Sequence, residues 1–290
     1  MERSNQDKAV QLVECPRDAM QGWRHFIPTS KKIAYINALL RVGFHTLDFG
    51  SFVSPKAIPQ MADTKDVLKG LDLSGTGTKL LAIVANTRGA EEAVVYDEIS
   101  YLGFPFSISP TFQMRNTNST MEESIKRLDE IQAECMRKGK ELVVYLSMGF
   151  GNPYGDAYDQ EILLEWAGKM VQKGIGIISM ADTVGLASPR QVSLALNTLI
   201  AQYPGTVFGA HLHSTPDNWK PKLEAAITAG CRRIDGALKG IGGCPMAQDE
   251  LVGNMDSERI IDWLEEKDML TGINREALAS CLTMTHEIFI

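Results

Sequence analysis

Short runs of apolar and β-branched residues recur along the chain at Val10 to Cys15, Thr46 to Gly50, Lys79 to Ala85 and Glu98 to Phe104. Four more follow as ELVVYLS, IGIISMAD, TVFGAHLH and RRIDGAL, which makes eight strand-like runs. The segments between them carry apolar residues at helical spacing. Ile33, Ile36, Leu39 and Leu40 form one stripe, and Ile125, Leu128, Ile131 and Cys135 form another. Leu163, Trp166, Ala167 and Met170 form a third that ends near Gly174. Ser188 followed by Pro189 reads as an N-cap with proline in the first turn, leading into Val192, Leu196 and Leu199. Strand and helix alternate, and the strands are too apolar to keep one face in water. The pattern predicts a single domain over 1–290, a (β/α)8 TIM barrel over about 8–255 with a short helical C-terminal extension over about 256–290.

Polar residues cluster where the runs end. Arg17 and Asp18 follow the first, Asp48 sits in the second, Asp182 ends the sixth, and His211 and His213 end the seventh. Barrel active sites lie at the C-terminal ends of the strands, so these six groups are expected to converge on one mouth. A doubly wound sheet would spread them along a line.

The 290 residues, 44% hydrophobic and 22% charged, suit one barrel with a large core. With 36 acidic against 29 basic residues the net charge is −7, so no broad surface for nucleic acid or anionic membrane is expected, and any anionic ligand must be met locally. The 5 cysteines are odd in number and contain no CxxC pair, which points to free thiols in a reducing compartment. No signal-peptide pattern and no apolar stretch of about 18 residues occurs, so the expected location is the cytoplasm.

The strongest chemical signal is AHLHS. Side chains at i and i+2 share a strand face, so His211 and His213 are expected to point together into the barrel at metal-ligand spacing. The plainer reading is one hydrogen-bonded core histidine with an incidental neighbour. Asp18 in CPRDAMQ can add a carboxylate, and with an amide oxygen the set suits an octahedral Mg²⁺ or Mn²⁺, whereas zinc more often recruits thiolate or a third imidazole. Arg17, at the expected strand-to-loop junction, can grip a carbonyl oxygen or neutralise an enolate, or be half of a structural ion pair. The glycine-rich stretch Lys239 to Asn254 carries Cys244, either an acid/base thiol near the cation or a bystander in a turn-rich loop. Cys15, Cys135, Cys231 and Cys281 lie within regular segments and are assigned to packing.

CPRDAMQ, SFVSPKAIPQMAD, NPYGD, ADTVG, HLH and GIGGCPMAQ, in this order from about Val10 to Trp263, resemble the motifs of 3-hydroxy-3-methylglutaryl-CoA lyases, in a barrel superfamily of metal-dependent lyases and Claisen-type synthases. The resemblance implies that Asp18, His211, His213 and Asn254 are metal ligands, Arg17 the enolate-stabilising arginine and Cys244 the catalytic thiol. It places Asp48 at a catalytic-site glutamate, one methylene shorter, and Asp182 at an aspartate that helps move protons, with His211 as base or relay. Other departures are Ala19 and Ala181 in place of glycines, Ser214 in place of an aspartate, and one extra residue between Cys244 and Asn254. The implied reaction is divalent-metal-dependent retro-Claisen cleavage of the acyl-CoA to acetyl-CoA and acetoacetate, of the leucine-degradation type, by a homodimer. Lys56, Arg24 and Arg115 lie in candidate mouth loops where coenzyme A phosphates need basic groups. The alternatives are a lyase or aldolase of the superfamily acting on a related 3-hydroxyacyl-CoA or 2-oxo or hydroxy acid, and a non-catalytic barrel serving as a binding subunit.

Overall fold

A computed structural model describes residues 9–243 and 252–290. Strands β1 (Gln11–Glu14), β2 (Thr46–Ser51), β3 (Lys79–Ile83), β4 (Ile99–Ser107), β5 (Glu141–Ser147), β6 (Ile177–Asp182), β7 (Val207–Leu212) and β8 (Arg233–Gly236) close into a barrel in chain order. Every pair is parallel, and β8 closes onto β1 with Gln11 beside Arg233 and Glu14 beside Gly236. The helices are α1 (Pro16–Gln21), α2 (Thr29–Leu39), α3 (Thr64–Lys69), α4 (Thr87–Ala93), α5 (Pro110–Thr117), α6 (Met121–Arg137), α7 (Gln160–Gln172), α8 (Pro189–Gln202), α9 (Trp219–Thr228), α10 (Ser257–Glu266) and α11 (Arg275–Ile288). This is the TIM barrel that the alternation of patterns predicts, and each of the eight apolar runs holds one strand.

Local chemistry sets the helix ends. Ser188 accepts from the Gln191 amide while Gln191 reaches back to the Ser188 amide, a capping box before α8. Gly174, at φ +79, turns the chain into β6 where a side chain would be strained.

Two layers of core follow from the strand period. Leu81, Ile83, Tyr101, Val143, Tyr145 and Ile177 fill the barrel interior. Their neighbours Leu80, Ala82, Leu102, Val144 and Ile178 face outward and pack into the shell of helices.

Two details refine the expected boundaries. Helix α10 follows β8 as the eighth helix of the alternation, so the segment beyond it is α11 alone. That helix packs against α2, and Phe289 meets Trp23 edge-on at 5.2 Å between ring centroids. The first strand also ends earlier than a strand-to-loop reading assumes. Pro16 opens α1, so Arg17 and Asp18 stand in the first turn of a short helix at the barrel mouth.

Glu14, on the outer face of β1, ties the two ends of the barrel together. It accepts from the Leu238 amide at 2.9 Å and from the Ser257 hydroxyl. Burial pushes its carboxyl up to about 8, against the pull of those two bonds.

Candidate active site

The C-terminal mouth holds a cavity of about 140 Å³ lined by Arg17, Asp18, Gln21, Tyr145, His211 and His213 over an apolar wall that includes Ile58, Ile83, Pro105 and Phe112. Strand parity places the imidazoles. Gly209 and His211 face inward on β7, and His213 follows where the chain leaves the strand and bridges to Asn254. The two rings stand 5.4 Å apart by centroid. One ligand atom each from Asp18, His211 and His213 lies within 4.8 Å of the others.

Arg17 spans two carboxylates. Its Nε donates to Asp48 Oδ2 at 3.1 Å and its Nη2 to the same oxygen at 2.5 Å, while Nη1 donates to Asp18 Oδ1 at 3.2 Å and Gln21 Oε1 at 2.8 Å. Gln21 returns a bond to Asp18 Oδ1 at 2.7 Å, and Asn254 Nδ2 donates to Asp18 Oδ2 at 2.7 Å. Asn254 reaches that position because Gly242, at φ +108, leaves room. A Cβ on Gly242 would stand 2.6 Å from Asn254 Nδ2 and 3.0 Å from the Ala19 Cα.

The charges of this network bias the protons. Burial pushes Asp18 up, but Arg17, His211 and the Asn254 bond outweigh it and hold the carboxyl below its ordinary range. Burial pushes Asp48 up to about 6 against the opposing pull of Arg17. Burial and the neighbouring His211 bring His213 down to about 4, which keeps it a neutral imidazole with a free lone pair. For His211 burial pulls down, and the hydrogen bond and charge of Asp235 raise it beyond that.

The donor set fits a divalent cation. His213 Nδ1 is buried and has no hydrogen-bond partner among the described residues, and an orphaned buried nitrogen is costly unless something fills it. His211 Nδ1 meets Asp235 Oδ2 at 3.2 Å, the carboxylate–imidazole support that aims the other ring nitrogen at a metal. A second group, Cys15, His211 and Asp235, is equally compact. Its thiol is held protonated by burial and by Asp235, so the set with Asp18 is the better cation site.

Not every expected site residue lines the cavity. Asp182 is not among the residues described as lining the cavity. Ala181 faces the cavity, so its successor on β6 must point to the opposite side, toward the helices. There Asp182 Oδ2 pairs with Lys222 Nζ of α9 at 2.7 Å and accepts from the Ala187 amide at 3.0 Å. The same ammonium donates to the His213 carbonyl at 2.8 Å, so the pair steadies the end of β7. Both side chains are almost wholly buried. Lys222→Met should therefore cost about 3–5 kcal/mol in chemical denaturation by leaving Asp182 unpaired. A loss under about 1 kcal/mol would mean that the pair is not a structural anchor.

Asp48 also stands below the cavity and not on its wall, as the partner that aims Arg17. Arg24 is exposed and lines a neighbouring cavity of about 400 Å³ with Trp23, Gly242, Gly243 and Ile290, on the other side of Asp18, which lines both. Lys56 is exposed, and Arg115 lies 4.5 Å over the Tyr154 ring. Cys244 lies outside the described residues. The other four cysteines are buried and free. Sequence reasoning missed Gln21, Tyr145, Lys222 and Asp235. Asp235 had a signal, a carboxylate inside an apolar run whose strand neighbours the one bearing His211, and the register pairs the two residues directly.

Fold and site together define a TIM barrel with an imidazole–carboxylate cluster of metal-ligand type and a bridging arginine at its mouth. The chain belongs to the HMGL-like family, whose description matches residues 9–284. It is 33% identical over 272 residues to the hydroxymethylglutaryl-CoA lyase YngG of Bacillus subtilis, covering 94% of this chain and 90% of the relative. It is 32% identical over 274 residues to the mitochondrial hydroxymethylglutaryl-CoA lyase of Mus musculus, covering 93% and 83%. Among solved structures, an HMG-CoA lyase from Acinetobacter baumannii in complex with coenzyme A and 3-methylmalate superposes with a TM-score of 0.90 at 29% identity, over 100% of this chain and 93% of that one. No helix among the described residues is long and apolar enough to cross a membrane.

Proposed function

We propose that this protein is a divalent-metal-dependent lyase that cleaves 3-hydroxy-3-methylglutaryl-CoA to acetyl-CoA and acetoacetate. The observation that carries the reading is the meeting of Arg17, Asp18, His211 and His213 on one cavity, in a chain of the HMGL-like family. Asp18, His211 and His213 would hold the cation, and Asn254, whose carboxamide reaches Asp18, would add an amide oxygen. A divalent cation held there, Mg²⁺ or Mn²⁺, would supply positive charge that eases loss of the substrate's hydroxyl proton.

The chain's own groups do the rest. His211, braced by Asp235, stands at the cavity to take or relay the tertiary hydroxyl proton. As that proton leaves, the C2–C3 bond breaks, C3 becomes the ketone of acetoacetate and the electron pair moves onto the thioester oxygen. Arg17, fixed by Asp48, places a permanent positive charge where that enolate forms. Asp182 acts from behind through Lys222, holding the His213 main chain in place. Cys244 returns a proton to C2 of the departing acetyl group, the role its position in GIGGCPMAQ implies.

Three experiments test this. Chelator-treated protein should lose turnover and regain it with Mg²⁺ or Mn²⁺, whereas full activity of metal-free protein would sink the metal-dependent mechanism. In a panel of 3-hydroxyacyl-CoAs with coupled detection of acetyl-CoA, 3-hydroxy-3-methylglutaryl-CoA should be cleaved fastest. A much faster rival would replace the substrate and leave the chemistry standing. Cys244→Ala should keep its metal affinity while kcat drops by about 10²–10⁴-fold, the range of a lost general acid. Unchanged kcat would remove the thiol from the mechanism.

A further inference from the structure

Cys15 carries a buried thiol that the mechanism above does not use. It follows β1 directly, and since Glu14 faces outward, Cys15 turns into the barrel, where it is 1% exposed. On β8, which closes onto β1, Asp235 stands in register with His211 and shares the inward face. One ligand atom each from Cys15, His211 and Asp235 lies within 4.8 Å of the others, as compact a group as the one with Asp18 and His213. Within it, Asp235 Oδ1 is buried and has no hydrogen-bond partner among the described residues. A buried carboxylate oxygen without a donor is costly, and it points to something the group can hold.

These donors differ in kind from the set with Asp18. Oxygen and imidazole suit Mg²⁺ or Mn²⁺, whereas thiolate, imidazole and carboxylate together suit zinc, with a fourth position left for water. Bonds of about 2.0–2.3 Å to zinc put tetrahedral donors roughly 3.3–3.7 Å apart, so the three atoms need to draw in by about 1.5 Å or less. Burial, then the charges of Asp235, Asp48 and Asp18, keep the thiol protonated while no cation is bound. The same negative surroundings attract a divalent ion, and the thiol proton leaves to solvent as the metal–sulfur bond forms. Arg17, the cation that also acts on this thiol, is already spanned by Asp48 and Asp18. We propose that Cys15, His211 and Asp235 form a second cation site, selective for thiophilic ions such as Zn²⁺, whose filling excludes Mg²⁺ or Mn²⁺ from the first. The exclusion follows from the shared imidazole. Nδ1 is the nitrogen of His211 that faces Asp235, and a neutral ring has one lone pair, so an ion on Nδ1 leaves the hydrogen on Nε2 and that nitrogen unable to ligate. The plainer role of Cys15 is packing alone.

Cd²⁺, whose bond to thiolate absorbs in the ultraviolet, is the probe that separates the two. A Cys244→Ala background removes the thiol of the glycine-rich stretch. There Cd²⁺ should bind at about one per chain with a thiolate band, and should release bound Mn²⁺ into solution, where its paramagnetic signal is counted. Adding Cys15→Ser should abolish the band and weaken Cd²⁺ binding about 100-fold, while Mn²⁺ affinity changes less than about threefold, because the sulfur belongs to the thiophilic site alone. No thiolate band, a band that survives Cys15→Ser, or Cd²⁺ bound with Mn²⁺ left in place overturns the proposal. An equal loss of Mn²⁺ affinity in Cys15→Ser overturns it too, since the thiol would then support one common site. Should Cys15→Ser fail to fold, X-ray absorption on the Zn²⁺-loaded Cys244→Ala protein decides. One sulfur at about 2.3 Å from zinc is expected, and a shell of nitrogen and oxygen alone overturns the proposal. A protein that binds no Mn²⁺ speaks against the metal-dependent lyase reading, and the cadmium band with its loss in Cys15→Ser still decides the thiophilic site.

Discussion

Arg17→Ala is expected to abolish cleavage, with kcat reduced by about 10³-fold or more, while the barrel remains folded. The guanidinium uses Nε and Nη2 on Asp48 and Nη1 on Asp18 and Gln21, so its plane is fixed before any ligand arrives. A preorganised charge of this kind acts on the transition state without reorganisation, and its loss is felt in kcat more than in KM. Stability should suffer less than for an ordinary broken buried pair. Asp48 already has its carboxyl pushed up to about 6 by burial, so it takes up a proton at little cost once Arg17 is gone. Arg17→Lys is the sharper variant. A lysine keeps the charge but cannot span Asp48 and Asp18 with a rigid fork, so kcat should still fall about 10²-fold. If Arg17→Lys retained full turnover, the planar bridge would be irrelevant and charge alone would suffice.

His211→Ala should abolish cleavage for a different reason, by dismantling the cation site. Removing it takes away the central member of the triad with Asp18 and His213, and unloads Asp235. Changes to a supporting carboxylate alone typically cost 10- to 100-fold in metal affinity, so loss of the ligand should cost about 10²-fold or more. Asp235→Asn should fall between the two. Isothermal titration with Mn²⁺ on the three proteins gives the order. An Asp235→Asn protein weaker than His211→Ala would show that the site is built around the carboxylate instead.

Where period and spacing determine structure, the chain was readable. The eight runs are strands because each is apolar on both faces, as a strand between barrel interior and helix shell must be. His211 and His213 converge because a two-residue step along a strand preserves the face. The same rule, applied to ADTVG, would have turned Asp182 away from the cavity, since Ala181 takes the inward position. Treating every carboxylate at a strand end as a mouth residue overlooked that alternation. Lys222 was invisible because it stands on a helix while its partner, Asp182, ends a strand forty residues back along the chain. Arg17 and Asp18 reach the mouth through the short helix that Pro16 opens, which a strand pattern does not announce. Asp235, despite its signal, and Tyr145 were passed over for a common reason. Each is a polar residue within an otherwise apolar run, and only the closed barrel brings both against His211.

The central claim is that one cation site beside Arg17 breaks a carbon–carbon bond in a 3-hydroxyacyl thioester. The most direct measurement is product analysis of purified protein with 3-hydroxy-3-methylglutaryl-CoA, with and without chelator. The expected result is acetyl-CoA and acetoacetate in equal amounts, lost with chelator and restored by Mg²⁺ or Mn²⁺. Intact thioester after prolonged incubation with the metal-loaded protein would contradict the account.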